Sequence, residues 1–474
     1  MNEAGDCQQK AGRLPQVLGD YAAANAARFH MPGHKGRGMQ GFWRPELAAW
    51  DVTELSHTDN LHEPTGILAA AQADCAACYG AENTFFLVNG STAGLLAMML
   101  CLPRGERVLL GRDCHKAALS GAVLAGLEAT FVLPEYDARY GMWGMVSPEA
   151  LEQALTASPA AAVLINSPNY YGMCADIPAL SAVAHRHGAM LFVDGAHGAH
   201  FPFGKRLPPS PAGFADLWVN SAHKTLNALG QAALLHRGGE CPLPHWRVQQ
   251  ALSLVQTSSP SYLLTASLDW ARYSAQNLQD WDAHIAFCEE WGHRIQKLPG
   301  LQVLDGRCAG IAGIAKKDPT RLVIDVAHRG ITGFTAAQWL EKQNVFVEMA
   351  DGRRLVCICT PSDDTAWYQR LFDALQGMPF GREEPPGQIG PGFTLPRQER
   401  PVWEAARGKQ RLMPLKDAAG HVAAEAVGPY PPGIALWAPG ETIRGEDVER
   451  MLRQQSLGCA LFGLREGMVA VAEE

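Results

Sequence analysis

Long apolar runs are absent from this chain of 474 residues: the longest, Ala93 to Leu102, falls far short of the roughly 18 to 20 needed to cross a bilayer. No membrane partner is expected. Clusters of positive charge are missing too. Lys plus Arg number 40 against 48 Asp plus Glu, for a net charge of -8, and no Lys/Arg run exceeds two residues, so nothing offers a phosphate backbone an electrostatic footprint. No nucleic-acid partner is expected. The opening Met1 to Lys10 is polar and carries Glu3 and Asp6, without the basic start and apolar core of a secretory signal, which points to the cytoplasm. Cysteine is sparse, 12 in the whole chain, too few for a disulfide framework. Cys101, Cys357 and Cys359 lie in apolar surroundings as small hydrophobes do. Cys75 and Cys78 form a C-x-x-C inside the helix-like stretch Ala69 to Tyr79, with no second pair at zinc spacing, and read as core packing.

What is present is a globular α/β pattern. Hydrophobic residues make up 47% and charged residues 19%, while Gly 48 and Pro 31 are spread along the chain without repeats, so disorder is excluded. From Thr84 to Leu235, short apolar runs read as strands buried on both faces: Phe85–Val88, Arg107–Leu110, Thr130–Leu133, Ala162–Ile165, Met190–Val193 and Leu217–Asn220. Helical stretches separate them at Thr92–Leu100, Lys116–Ala125, Pro148–Leu155 and Ile177–His187. This alternation predicts a largely parallel sheet covered by helices, with ligands at the carboxyl ends of the strands.

Residues 265 to 300 read as one long helix, with Leu268, Ala271, Ala275 and Leu278 on its apolar face. Arg321–Val326 and Leu355–Cys359 then read as strands around the helix Thr335–Lys342, a smaller α+β domain. Gly381 to Pro396 is dense in Pro and Gly and reads as a linker. The last unit, Pro401 to Glu474, has strands and a helix around Glu425–Pro429 and Arg444–Leu457.

Three segments carry chemistry. Asn89-Gly90-Ser91-Thr92 follows the first strand and opens a helix, so free N–H groups and two hydroxyls make an anion site suited to phosphate. Taken alone, Ser or Thr at such a place is more often only a cap. Asp194, in Phe192-Val193-Asp194-Gly195-Ala196-His197-Gly198-Ala199-His200, leaves an apolar strand and needs a cationic or protonated partner there. Asp194, His197 and His200 could also be metal ligands, but the loop is Gly-rich and no H-E-x-x-H helix is present, so no metal is assigned. Lys224 follows the strand Leu217–Asn220 in Ser221-Ala222-His223-Lys224, where desolvation depresses an amine and makes it nucleophilic. A phosphate cradle, a carboxylate able to keep a pyridine nitrogen protonated and a downstream lysine able to form a Schiff base are together what pyridoxal phosphate requires.

The chain also resembles a known family. Arg28-Phe29-His30-Met31-Pro32-Gly33-His34-Lys35-Gly36, Asp51-Val52-Thr53-Glu54-Leu55, Phe86 to Thr92, Arg112-Asp113-Cys114-His115-Lys116, Ser221 to Lys224, Pro429 to Ile434 and Pro439-Gly440-Glu441 look like the Orn/Lys/Arg decarboxylases of pyridoxal-phosphate fold type I. The likeness runs from about residue 14 to about residue 460, in family order. It implies an aspartate-aminotransferase-like large domain at 81–265, after an N-terminal arm and active-site segment at 1–80. A linking helix and small α+β domain follow at 266–380, then the linker 381–396 and a C-terminal α+β decarboxylase domain at 397–474. It resembles the short form, without the response-regulator-like N-terminal domain of the long bacterial enzymes.

Carried onto this sequence, the resemblance implies that Lys224 is the Schiff-base lysine, Asp194 the pyridine-nitrogen partner and His115 the residue stacked on the ring. Ser91, Thr92, Ser221 and His223 would hold the phosphate, and Lys224, Asp194, His115 and His223 would be catalytic. His197 falls beside the cofactor, Asn169 matches a place that reaches the cofactor hydroxyl, and Ser259 would reach a neighbouring subunit's phosphate. A homodimer or higher homo-oligomer with sites at the interface is implied, with a small-molecule amino-acid substrate.

The implied reaction is decarboxylation of arginine, lysine or ornithine to a polyamine-type amine and carbon dioxide. Another fold-type-I reaction, an aminotransferase or lyase, would keep the same cofactor residues and differ in the group that holds the carboxylate, for which Arg353 and Arg354 are candidates. Glu441, Asp59, Glu63 and Asp351 are candidates for the substrate's distal cation. Specificity is expected to differ from relatives at Ala435–Ala438 and Gly352–Arg354.

Overall fold

The computed structural model describes residues 21–37, 39, 47–382, 390, 392–430, 434–456 and 459–473. Its main sheet has seven strands: β1 (Asn83–Leu87), β2 (Arg107–Gly111), β3 (Glu128–Val132), β4 (Ala162–Asn166), β5 (Met190–Asp194), β6 (Leu217–Asn220) and β7 (Ala233–Arg237). They lie in the order β1-β7-β6-β5-β4-β2-β3. All pairs from β6 to β3 are parallel, and β7 alone runs antiparallel, between β1 and β6.

The unbroken apolar runs have a plain cause, because each strand feeds two cores at once. Phe86, Leu109, Leu191, Val193 and Trp218 enter one core, while Phe85, Leu87, Val108, Leu110, Phe192, Leu217 and Val219 enter the other. Side chains alternate between faces at a period of two, so both faces must be apolar. Helices α1 (Ile67–Tyr79), α4 (Pro148–Ala157), α5 (Ile177–Arg186) and α6 (Tyr262–Asn277) cover the first core, and α2 (Gly90–Leu100) and α3 (Lys116–Ala125) the second. Cys75 of the C-x-x-C is buried in the first core, and Cys78 packs against it.

Two features differ from the sequence reading. β7 was not foreseen, because its apolar run is short and ends in His236 and Arg237; His236 is nevertheless fully buried, its Nδ1 hydrogen-bonded to Thr84 Oγ1 at 2.8 Å. The long helix expected over 265–300 is two, α6 and α7 (Trp281–Gln296), broken where Asp280 caps the second by accepting the Ala283 N–H at 2.9 Å. Leu278 consequently lies in the break, 61% exposed, whereas Leu268, Ala271 and Ala275 are buried as expected.

A second sheet orders β8 (Gln302–Leu304), β9 (Arg321–Asp325), β10 (Met349–Ala350) and β11 (Arg354–Ile358) as β8-β9-β11-β10, packed against α7, α8 (Gly333–Lys342) and α9 (Thr365–Gln376). The chain near residue 33 bolts this sheet to the main one. Gly33 donates its N–H to His223 O at 2.8 Å, and a Cβ there would fall 2.6 Å from the Thr225 carbonyl carbon, so glycine alone permits the approach. Buried Lys35 donates from Nζ to His30 O and Ile358 O, each at 2.8 Å.

The last unit packs β12 (Gln410–Pro414) on β15 (Met468–Ala472) and β13 (Gly428–Tyr430) on β14 (Ala460–Phe462), with α10 (Gly445–Ser456) against a core around Trp437 and Val469. Phe393, from the Pro/Gly-rich stretch, is buried in that core. Residues 383–389 and 391 of that stretch, and Pro431 to Gly433 and Leu457, lie outside the described residues, as do residues 1–20, 38 and 40–46 of the N-terminal segment. Among the described residues, no helix is long and apolar enough to cross a membrane.

Candidate active site

The carboxyl ends of β1, β2, β4, β5 and β6 converge on a cavity of about 530 Å³. The β1 exit passes through Gly90, at φ +72°, into the first turn of α2, which turns Ser91 and Thr92 toward the cavity. Gly94 lets α2 sit close on the sheet, since a Cβ there would lie 2.7 Å from Val219 Cγ2. From the β6 exit, Ser221 Oγ donates to Ser91 Oγ at 2.7 Å, so two strand ends supply a hydroxyl pair beside a helix N-terminus.

Asp194 closes β5 and is 3% exposed, with Oδ1 accepting the Ala196 N–H at 3.1 Å. Register places Asn166 of β4 opposite Asp194, and the Asn166 side chain hydrogen-bonds Asp113 at the β2 exit. Burial raises the Asp113 carboxyl to about 7, with the Asp194 charge adding to the effect. His115 caps α3, its Nδ1 accepting the Ala117 N–H at 3.2 Å. Burial holds its imidazole below the ordinary range, opposed by Asp194.

Lys224 enters the same cavity. Its Nζ lies 3.1 Å from His197 Nε2 and 5.6 Å from the centre of the Tyr170 ring. Burial lowers its ammonium below the usual lysine range, with Asp194 and Glu348 opposing and Arg321 assisting. His197 is held well below its usual value, first by burial and then by Lys224 and Arg321, and stays neutral. Arg321 Nη2 lies 3.5 Å from His197 Nδ1; since a guanidinium only donates, Nδ1 accepts and the His197 proton sits on Nε2, facing Lys224. Arg321 is 2% exposed, and its Nε and Nη1 have no partner among the described residues. His223 lines the cavity with Nδ1–H donating to Ala232 O at 3.0 Å, and burial lowers it to about 4.

Eight of the ten expected residues therefore line this cavity, and Asn169 and Ser259 do not. Asn169 Oδ1 is occupied by the Tyr171 and Met173 N–H groups at 3.0 and 3.1 Å, and its side chain lines a small neighbouring cavity. Asn166 lines the main one. The signal that marked Asp194, a polar residue at the exit of an apolar strand, would also have found Asn166 and Asp113. Ser259 sits on an exposed loop outside the cavity lining, next to Thr257, whose N–H donates to Asn89 Oδ1 at 3.2 Å. His200 faces away, with Nε2 3.2 Å from Asp318.

The remaining candidates are engaged elsewhere. Arg353 pairs with Asp325 and Arg354 with Asp325 and Asp351, and Asp351 also accepts from the Tyr171 hydroxyl and the Arg353 and Arg354 N–H groups. Glu441 pairs with Arg112, Asp59 accepts the N–H groups of Thr65, Gly66 and Leu68, and exposed Glu63 lines a different cavity. Of the Ala435–Ala438 segment, the first two carbonyls are acceptors for Arg112.

A family model for the major domain of Orn/Lys/Arg decarboxylases matches residues 13–305, and the model for the family's C-terminal domain matches residues 397–456. The chain belongs to this family. An arginine decarboxylase of Bacillus subtilis (strain 168) is 32% identical over 477 residues, covering 96% of this chain and 97% of the relative. An arginine decarboxylase of Bacillus anthracis is 31% identical, covering 94% of each. Among solved structures, the constitutive lysine decarboxylase of Escherichia coli superposes with a TM-score of 0.75 at 19% identity, over 98% of this chain and 82% of that one. An alanine–glyoxylate aminotransferase from Nostoc sp. gives 0.55 at 17% identity, over 74% and 94%. The architecture is that of fold type I, as expected, and this family member is a pyridoxal-phosphate-dependent amino-acid decarboxylase.

Proposed function

We propose that this decarboxylase acts on L-arginine, among the basic amino acids its family uses, with pyridoxal phosphate carried covalently by Lys224. The observation that carries the cofactor assignment is the convergence of Lys224, Asp194 and the Ser91–Ser221 hydroxyl pair on one cavity. Near-full-length likeness to arginine decarboxylases supports the substrate choice.

The residues present fit the cofactor. Ser91, Thr92, Ser221 and the α2 N-terminus would hold the phosphate. His223 Nε2 would join them on taking up a proton, which a neighbouring dianion favours. Asp194 would bind the pyridine nitrogen, His115 would lie against the ring, and Asn166 is better placed than Asn169 for the ring hydroxyl. When bound, the cofactor supplies the sink for the electron pair left as the carboxylate departs as carbon dioxide.

The chain's own groups do the rest. Burial favours the unprotonated, nucleophilic form of Lys224, the form that can accept a hydrogen bond from His197 Nε2. Neutral His197 presents its Nε2 proton at the Lys224 nitrogen. Asp194 keeps a fixed negative charge where positive charge must be held. Arg321, a buried cation with two nitrogens to satisfy, reaches the site through His197 while lining a different cavity, and is the candidate partner for the substrate carboxylate.

A homodimer is part of the same reading, supported by the Thr257–Tyr262 segment, which resembles an interface element of this fold and carries Ser259 on an exposed loop. Cytoplasmic placement is supported by the free thiols among the described cysteines. The deciding experiment measures carbon dioxide release from L-arginine, L-lysine and L-ornithine by purified, cofactor-loaded protein, with borohydride trapping and peptide mapping. Expected are preference for arginine and an adduct on Lys224. An adduct on another lysine, or no release from any of the three, would overturn the reading.

A further inference from the structure

A basic substrate ends in a cation, and the described part of the cavity has little carboxylate left to receive it. Its lining carboxyls are Asp113 and Asp194, both at the sheet edge where the pyridine nitrogen is to be held. Asp113 is partly protonated near neutrality. The acids that sequence alone had put forward are engaged elsewhere or line another cavity.

What the cavity has instead is an aromatic wall brought in by the C-terminal unit. Phe462, last residue of β14, is among its lining, the C-terminal unit's contribution among the described residues. Phe462 pairs with Gly428 of β13, and a Cβ at Gly428 would lie 2.9 Å from Phe462 Cε1, so the missing side chain makes room for the ring. Gly463, at φ +80°, turns the chain away directly after it. The unit is held to the cavity's rim by Arg112, one residue before Asp113, whose guanidinium grips Glu441 and two carbonyls of the C-terminal unit.

We propose that Phe462 is a specificity-determining residue whose ring face receives the distal cation of the substrate side chain. The inference rests on the basic-amino-acid reading above. An aromatic face attracts a guanidinium or ammonium through its quadrupole, most strongly where water is displaced. It gives an uncharged isostere no such gain, so the contact selects charge without placing an extra acid in the cavity.

The test uses cofactor-loaded enzyme and two matched pairs, L-arginine against uncharged L-citrulline and L-lysine against L-norleucine. Phe462→Leu keeps an apolar wall and removes the π face; Phe462→Tyr keeps the face. For Phe462→Leu the ratio of kcat/KM for the charged over the uncharged partner is expected to fall about tenfold, mostly through KM, with Phe462→Tyr near wild type. Calorimetric binding of agmatine, the amine left when arginine loses its carboxylate, should weaken in parallel and needs no turnover. Cofactor content is read from absorbance; if Phe462→Leu does not retain it, Phe462→Met is measured in its place with the same expected loss. An unchanged ratio in the ring-less variant overturns the role of Phe462 while leaving the decarboxylase reading intact. A wild type that releases carbon dioxide from no basic amino acid overturns that reading instead.

Discussion

Arg112 and Glu441, 329 positions apart, meet in a two-pronged ion pair, Nη1 to Oε1 at 2.8 Å and Nη2 to Oε2 at 2.6 Å, with both side chains almost wholly buried. Arg112 Nε and Nη2 also reach Ala435 O and Leu436 O, and the guanidinium lies 4.5 Å from the centre of the Phe131 ring. Removing one partner strands a buried charge, which typically costs about 3 to 5 kcal/mol. Glu441→Ala should therefore lower the unfolding free energy by about that much in a denaturant titration. Replacing both residues by apolar ones of similar size should recover part of the loss. A Glu441→Ala variant within about 0.5 kcal/mol of wild type would mean that the pair does not clamp the C-terminal unit.

Asp194→Asn keeps the shape of the side chain and removes its charge. Turnover should fall by several orders of magnitude, since a preorganised charge in a dry site is worth roughly 3 kcal/mol or more. Cofactor should stay attached through Lys224 and the hydroxyl pair, visible in the absorption spectrum. A lower melting temperature with turnover intact would instead mark Asp194 as structural.

Asp113 gives a pH dependence whose sign follows from its raised value. An ordinary aspartate titrates at 3.8, whereas this one is held up to about 7 by burial and by the Asp194 charge. Between those values the folded protein keeps a proton that the unfolded chain has released, so this group's contribution to stability falls as pH rises from about 4 to about 7 and then levels off. Asp113→Asn cannot ionise. Its stability relative to wild type should rise across that window, as read from denaturant titrations of cofactor-free protein at pH 5 and pH 8. Parallel curves at the two pH values would show that Asp113 titrates as an ordinary carboxyl.

Gly33→Ala tests the bolt between the two sheets. The added methyl would meet the Thr225–Leu226 backbone, next to Lys224, and backbone cannot give way as a side chain can. A cost of about 1 to 3 kcal/mol is expected. Turnover should fall with it, because the displaced segment is hydrogen-bonded to His223 O, next to Lys224. Unchanged melting and turnover would show that this approach is not needed.

Much of the site was legible in the sequence because chemistry clusters at strand exits. Asp194 and Lys224 each stand at the end of an apolar run, and a polar residue there must face either a ligand or a neighbouring strand's end. The same logic, applied to Ala162–Ile165, would have stopped at Asn166. The Asn169 side chain, three residues on, is instead taken up by the turn it sits in. The break after Asn277 was hidden because both halves share helical periodicity, and Asp280 marks the cut only by its cap.

The sequence by itself determined the strand-helix alternation, the two-faced sheet, the order of the chemical segments and the family, since each rests on residues close together in the chain. Only the tertiary structure decided which distant groups meet. That Arg321 fixes the His197 proton, that Glu441 belongs to Arg112 and that Phe462 enters the cavity all depend on contacts between segments at least 120 residues apart. No local pattern encodes such pairings, because they are set by how the second sheet and the C-terminal unit pack against the strand ends, and packing is a property of the whole chain.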